Sequence, residues 1–114
     1  MMFSVLMAVY KVLLPCALLL LAGSPMAAEK QASKTHRVEI AQMKFNPSSL
    51  SVRPGDTVVF VNLDVVTHDV TEASGKLWKS PPLAAKSTWK KVMKTSANYY
   101  CSLHPVMKGT ITVK

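Results

Sequence analysis

Cysteine is nearly absent: the 114-residue chain has two, Cys16 and Cys101. Cys16 lies in an apolar run from Val12 to Ala22, with Lys11 before it and Gly23-Ser24-Pro25 followed by Met26-Ala27-Ala28 after it. A basic, then apolar, then small-residue order is that of a secretory signal peptide. The apolar stretch of about 11 residues is far below the roughly 20 that a membrane-spanning helix needs. Residues 1–28 are therefore expected to be cleaved after Ala27 or Ala28, leaving a periplasmic or otherwise exported protein. Residues 29–35, polar and aperiodic, read as a flexible lead-in, and 36–114 as one small domain. Cys101 is then the sole thiol. No disulfide can form within the mature chain, which excludes a disulfide-stapled fold, and no C-x-x-C-H motif is present for covalent haem. A lone exported thiol is a liability unless something occupies it, and a metal would.

Acidic residues are also scarce, six against fourteen lysines and arginines. Losing Lys11 with the signal leaves 13 basic and 6 acidic residues, a formal charge of +7. Such a balance favours anionic partners. The basic residues are spread along the chain rather than clustered with aromatics, so no nucleic-acid footprint is present. The expected partners are redox proteins with an acidic docking face. No stable membrane association is expected after signal cleavage, and the chain is expected to be a monomer.

Helical periodicity is the third absence. Turn formers recur at short intervals (Asn46-Pro47, Arg53-Pro54-Gly55-Asp56, Asn62-Leu63-Asp64, Ser74-Gly75, Pro81-Pro82, Ala97-Asn98, Lys108-Gly109). Between them lie β-prone runs at 37–45, 49–52, 57–62, 65–72, 88–94, 99–101 and 110–113. About seven short strands without a 3.6-residue period predict an all-β fold, a small Greek-key β-sandwich. In Val66-Thr67-His68-Asp69-Val70-Thr71 the alternation puts His68 on the face of Val66 and Val70, toward the core. In the last strand Ile111 and Val113 face in. Phe45, Phe60, Trp89 and Tyr99 read as core or near-core aromatics, Met43 and Met93 as core methionines, and His36 as a solvated histidine.

What the chain does have is concentrated in Tyr100-Cys101-Ser102-Leu103-His104-Pro105-Val106-Met107. Cysteine, histidine and methionine at C-x2-H-x2-M spacing, between two strands, can turn three side chains to one point. With His68 from a distant strand they make two imidazoles, a thiolate and a thioether, the donor set of a blue-copper electron-transfer site. A structural zinc site wants four strong ligands and would leave Met107 idle. A binuclear thiolate-bridged copper centre wants two cysteines in the loop. A cysteine nucleophile would want an orienting third group and a cleft. The metal ligands are thus expected to be His68, Cys101, His104 and Met107.

These stretches resemble the cupredoxins, and among them the small amicyanin- and plastocyanin-like members. The resemblance is carried by Met43-Lys44-Phe45-Asn46-Pro47 through Leu50 to Val58, by Thr67-His68-Asp69-Val70, by Trp78-Lys79-Ser80-Pro81-Pro82-Leu83, and by the 100–109 loop. It implies one copper ion cycling between Cu(I) and Cu(II) in a carrier that is not an enzyme. It further implies a buried His68 and an electron port at His104, ringed by Pro105 and Val106. Asp69 would brace the site, its backbone N–H donating to the Cys101 sulfur and its carboxylate accepting from Ser102. The competing reading is a periplasmic copper-binding protein for storage, delivery or resistance without redox turnover. An oxidase domain would need more histidines than the three present.

Overall fold

Polar and apolar side chains alternate through Thr35–Ala41, with Val38 and Ile40 buried and Arg37 and Glu39 on the other face. That is the pattern of a strand with one face on a core. The computed structural model describes residues 31–114, and this segment is its β1. It is followed by β2 (Lys44–Asn46), β3 (Ser49–Val52), β4 (Thr57–Asn62), β5 (Thr71–Glu72), β6 (Thr88–Val92), β7 (Ala97–Cys101) and β8 (His104–Val113). The expected signal peptide lies outside the described residues.

The strands form two four-stranded sheets, β2-β1-β4-β6 and β3-β8-β7-β5. The pairs β1–β4 and β3–β8 are parallel, the others antiparallel. Between the sheets lie Val38, Ile40, Val58 and Phe60 from one side and Val52, Tyr99, Cys101, Met107 and Ile111 from the other. Burying each large apolar side chain contributes about 1.5–3 kcal/mol, and this core is what holds the sandwich shut. Phe45, Phe60 and Tyr99 meet edge to face at centroid distances of 4.8 to 6.3 Å, a favoured quadrupole geometry. Trp89 packs against Phe60 at the core's margin.

The all-β sandwich agrees with the sequence reading, with corrections in detail. The run 37–45 is two strands, because Gln42 and Met43 both take positive φ (53° and 61°) and turn the chain back on itself. Neither is glycine or asparagine, the usual residues there; the carboxylate of Asp64 accepts both of their N–H groups, at 2.7 and 3.0 Å. Met43 is consequently exposed at a turn tip rather than in the core. The run 65–72 is strand only at β5, with an isolated bridge between His68 and Leu83. Val66 is exposed, while Asp69 and Thr71, expected to face outward, are buried beside Val70. Thr35 already belongs to β1, so the lead-in ends earlier than expected. His36 is half-buried, its Nε2 2.9 Å from Asp56 Oδ2.

Two inward carboxylates each anchor a different loop of the sandwich. Asp56 accepts from the Lys34 N–H, the His36 ring and the Arg53 N–H, and these bonds lower its pKa from 3.8 to about 2. Glu72 accepts from the Ser74 hydroxyl and the Gly75 and Leu77 N–H groups, which lower it from 4.5 to about 2. Both are depressed on folding, so their contribution is present above the unfolded values and is lost as pH falls through the folded ones. Urea unfolding of the copper-free protein should give a midpoint that is level above about pH 5 and declines toward about pH 2. Glu72→Gln should lower the plateau and flatten the decline.

Candidate metal centre

Strand β7 delivers Cys101 to the end of the core, and after Ser102 and Leu103 the chain re-enters β8 at His104, paired opposite Cys101. This tight return sets Cys101 Sγ 3.7 Å from His104 Nδ1. His68 comes from the connection between β4 and β5. Its N–H donates to Leu83 O (3.1 Å), and the Leu83 N–H donates back to His68 O (2.7 Å). Held this way, His68 Nδ1 also lies 3.7 Å from Cys101 Sγ. His68 and Cys101 are fully buried and His104 is half-buried. The two imidazoles meet with ring centroids 4.9 Å apart.

The donor atoms of His68, Cys101 and His104 all lie within 4.8 Å of one another, the one such cluster among the described residues. Bonds of about 2.3 Å to a thiolate and 2.0–2.1 Å to an imidazole, opening at about 110–120°, separate sulfur from nitrogen by about 3.6–3.8 Å. Both sulfur–nitrogen distances, at 3.7 Å, match that span. The three residues thus fit a common metal ion. Met107, three positions beyond His104, is buried in the same core cluster as Cys101.

Around these residues the polar groups are arranged to hold rather than to react. His68 Nε2 is 2.8 Å from Asp64 Oδ2; with its proton shared there, Nδ1 is left with a lone pair toward the sulfur, the tautomer a metal requires. Burial pushes the Asp64 carboxyl up, but donation from the Met43 N–H, the His68 ring and the Gln42 N–H outweighs it, and the pKa lies below 3.8. Asn62 donates to Val66 O and Leu83 O (2.9 and 2.8 Å) and accepts from the Asp64 N–H (2.9 Å), locking the loop that carries Asp64. The Asp69 N–H donates to Cys101 Sγ (3.4 Å). Its buried carboxylate accepts from the Ser102 N–H (2.8 Å), the Ser102 hydroxyl and the Thr71 hydroxyl (2.9 Å). Asp64 and Asn62 were read from sequence only as turn formers. The acid four residues before His68 was the available signal, visible only once His68 was known to be held in place.

The neighbours of His104 in the chain are apolar and exposed (Leu103, Pro105 and Val106), and Leu63, Val65 and Val66 are exposed in the segment before His68. Charge is segregated. Of the five carboxylates among the described residues, Asp56, Asp64, Asp69 and Glu72 turn inward to N–H or O–H donors. Eleven of the twelve lysines and arginines among the described residues are exposed.

Comparison with known proteins matches residues 12–113 to the family model of the cupredoxin-like domain. The chain is 33% identical over 97 residues to amicyanin of Paracoccus denitrificans, covering 80% of this chain and 74% of that one. A solved amicyanin variant in its reduced Cu(I) form superimposes with a TM-score of 0.66 at 31% identity, over 80% of this chain and 92% of the other. A purple cupredoxin from Nitrosopumilus maritimus gives 0.64 at 26% identity, over 69% and 99%.

Proposed function

Since this chain belongs to the cupredoxin-like family of copper electron-transfer proteins, we propose that it is an exported carrier of single electrons between redox partners, with copper held by His68, Cys101, His104 and Met107. The observation that carries this reading is the pair of equal 3.7 Å distances from one buried thiol to two imidazoles on separate parts of the fold. Bound there, copper supplies a one-electron Cu(II)/Cu(I) couple.

The chain's own residues supply the rest. Strand pairing, the His68–Leu83 bridge and the Asp64–His68 bond fix the imidazoles in one geometry, so that little moves when charge changes. Asp69 and Ser102 hold the start of the ligand loop against the thiolate. His104 offers a half-exposed ring edge as the port for the electron. Pro105 and Val106 beside it form a small apolar contact of the kind used in brief redox encounters. The exposed lysines steer toward a partner with an acidic face, by an attraction that salt screens. His68, Cys101, His104 and Met107 would together occupy the positions around a bound copper ion, which supports a carrier rather than an enzyme. The signal-like segment at residues 1–28 supports export to the periplasm.

The Cu(II) protein should be intensely blue or green from thiolate-to-copper charge transfer, and should cycle reversibly on one-electron reduction. A colourless protein at full copper occupancy would favour storage or delivery instead. Met107→Leu should stay coloured and shift upward in potential, because a weak axial ligand tunes rather than secures the ion. Loss of copper from that variant would show that Met107 is not the axial ligand.

A further inference from the structure

Asp69 is 2% exposed, and its carboxylate lies against the residues that hold the thiolate. Hydroxyl and amide donors do not neutralise a buried carboxylate, and such groups are normally paired. The cation facing it is Lys79, with Nζ 3.9 Å from Asp69 Oδ2. Lys79 is placed there by its backbone. It forms an isolated antiparallel bridge with Thr71, whose hydroxyl donates to Asp69 Oδ1, and the next residue donates from Ser80 N to Val70 O at 2.8 Å. Lys91, the neighbouring cation, is engaged elsewhere, its Nζ lying 5.5 Å above the Trp78 ring. The Lys79 side chain is 51% exposed, so one end of this pair is buried beside the thiolate and the other meets solvent.

We propose that Lys79 is the surface counter-ion of Asp69 and sets the copper potential through it, a role that rests on the copper assignment above. A buried carboxylate near the ion favours the more positive Cu(II) state, and an ammonium beside that carboxylate offsets the effect and favours Cu(I). Because Lys79 is reached from solvent, an anionic group of a docked partner that draws it off Asp69 shifts the balance toward Cu(II), and so toward release of the electron to that partner.

The pairing is tested without copper by amine acylation of the copper-free protein, followed residue by residue with mass spectrometry. Lys79 should react several-fold more slowly than the exposed Lys76 and Lys94, and Asp69→Asn should bring its rate up to theirs. Equal rates in the unmodified protein would overturn the pairing. The tuning is tested by reduction potential. Lys79→Gln should lower it, Asp69→Asn should raise it, Lys79→Arg should restore it, and Lys94→Gln, a lysine after β6, should change it least. A Lys79→Gln shift no larger than that of Lys94→Gln would overturn the tuning role even if Lys79 is protected. Absence of any reversible copper couple in the unmodified protein would instead overturn the carrier reading and this one with it, while the acylation result would still report whether the pair exists.

Discussion

Changing Cys101 to serine should abolish the intense visible absorption expected of the Cu(II) protein while leaving a folded sandwich. Cys101 is fully buried, accepts the Asp69 N–H at 3.4 Å and stands 3.7 Å from both imidazole nitrogens. Serine fills nearly the same space and can accept the same N–H, so the fold loses on the order of 1–2 kcal/mol. The metal chemistry does not survive. A serine hydroxyl is neither a thiolate nor readily ionised, and the two histidines alone give a pale, weakly held Cu(II). The visible spectrum at saturating Cu(II), together with thermal unfolding of the copper-free variant, checks both halves. An intense band persisting in Cys101→Ser would remove the thiolate from the site.

The second large effect is structural. Gly109 lies opposite Tyr99 across β7 and β8, and a Cβ added to Gly109 would sit 2.2 Å from Tyr99 Cζ and 2.3 Å from its hydroxyl oxygen. The ring cannot move aside, since Phe45 and Phe60 hold it edge-on at 4.8 and 5.4 Å. Gly109→Ala should therefore destabilise by about 3 kcal/mol, a fall of roughly 12–24 °C in Tm for a domain this small. The Tyr99 hydroxyl is buried without a hydrogen-bond partner, and burial raises its pKa. Removing it strands no other group, so Tyr99→Phe should be neutral or stabilising. Tyr99→Leu combined with Gly109→Ala should cost less than the sum of the two single changes, since the clash is then gone while the cavity left by the ring remains. Thermal or urea denaturation measures all of these, and a Gly109→Ala variant as stable as the parent would mean that the two strands separate freely at this point.

What the sequence made legible was local. The β-prone runs at 49–52 and 57–62, which are β3 and β4, the inward Ile111 in β8 and the C-x2-H-x2-M loop each lie within ten residues, and each can be read from a single stretch of chain. What it hid depends on distant partners. The Gln42–Met43 turn carries no glycine or asparagine and is held by Asp64, more than twenty residues away in sequence. The 65–72 segment alternates like a strand, yet 65–67 are exposed and 68–72 are buried on both faces, and the paired hydrogen bonds between His68 and Leu83 take the place of a full ladder. The inward turn of Asp56, Asp64 and Glu72 carried no direct sequence signal, because most of their donors are backbone N–H groups that composition does not reveal.

The arrangement of the three donors in the chain also orders how they assemble. Cys101 and His104 belong to one hairpin, whereas His68 stands 33 residues upstream of Cys101. A hairpin closes in about 1–10 μs, while bringing in His68 requires closing a much longer loop at greater entropic expense. An unfolded chain thus already holds a thiol and an imidazole within reach of a metal. An ion held by that pair before the sandwich exists would reduce how much metal stabilises the folded state. Refolding in the presence of copper should then start from the Cys101–His104 pair, with the His68 imidazole arriving last.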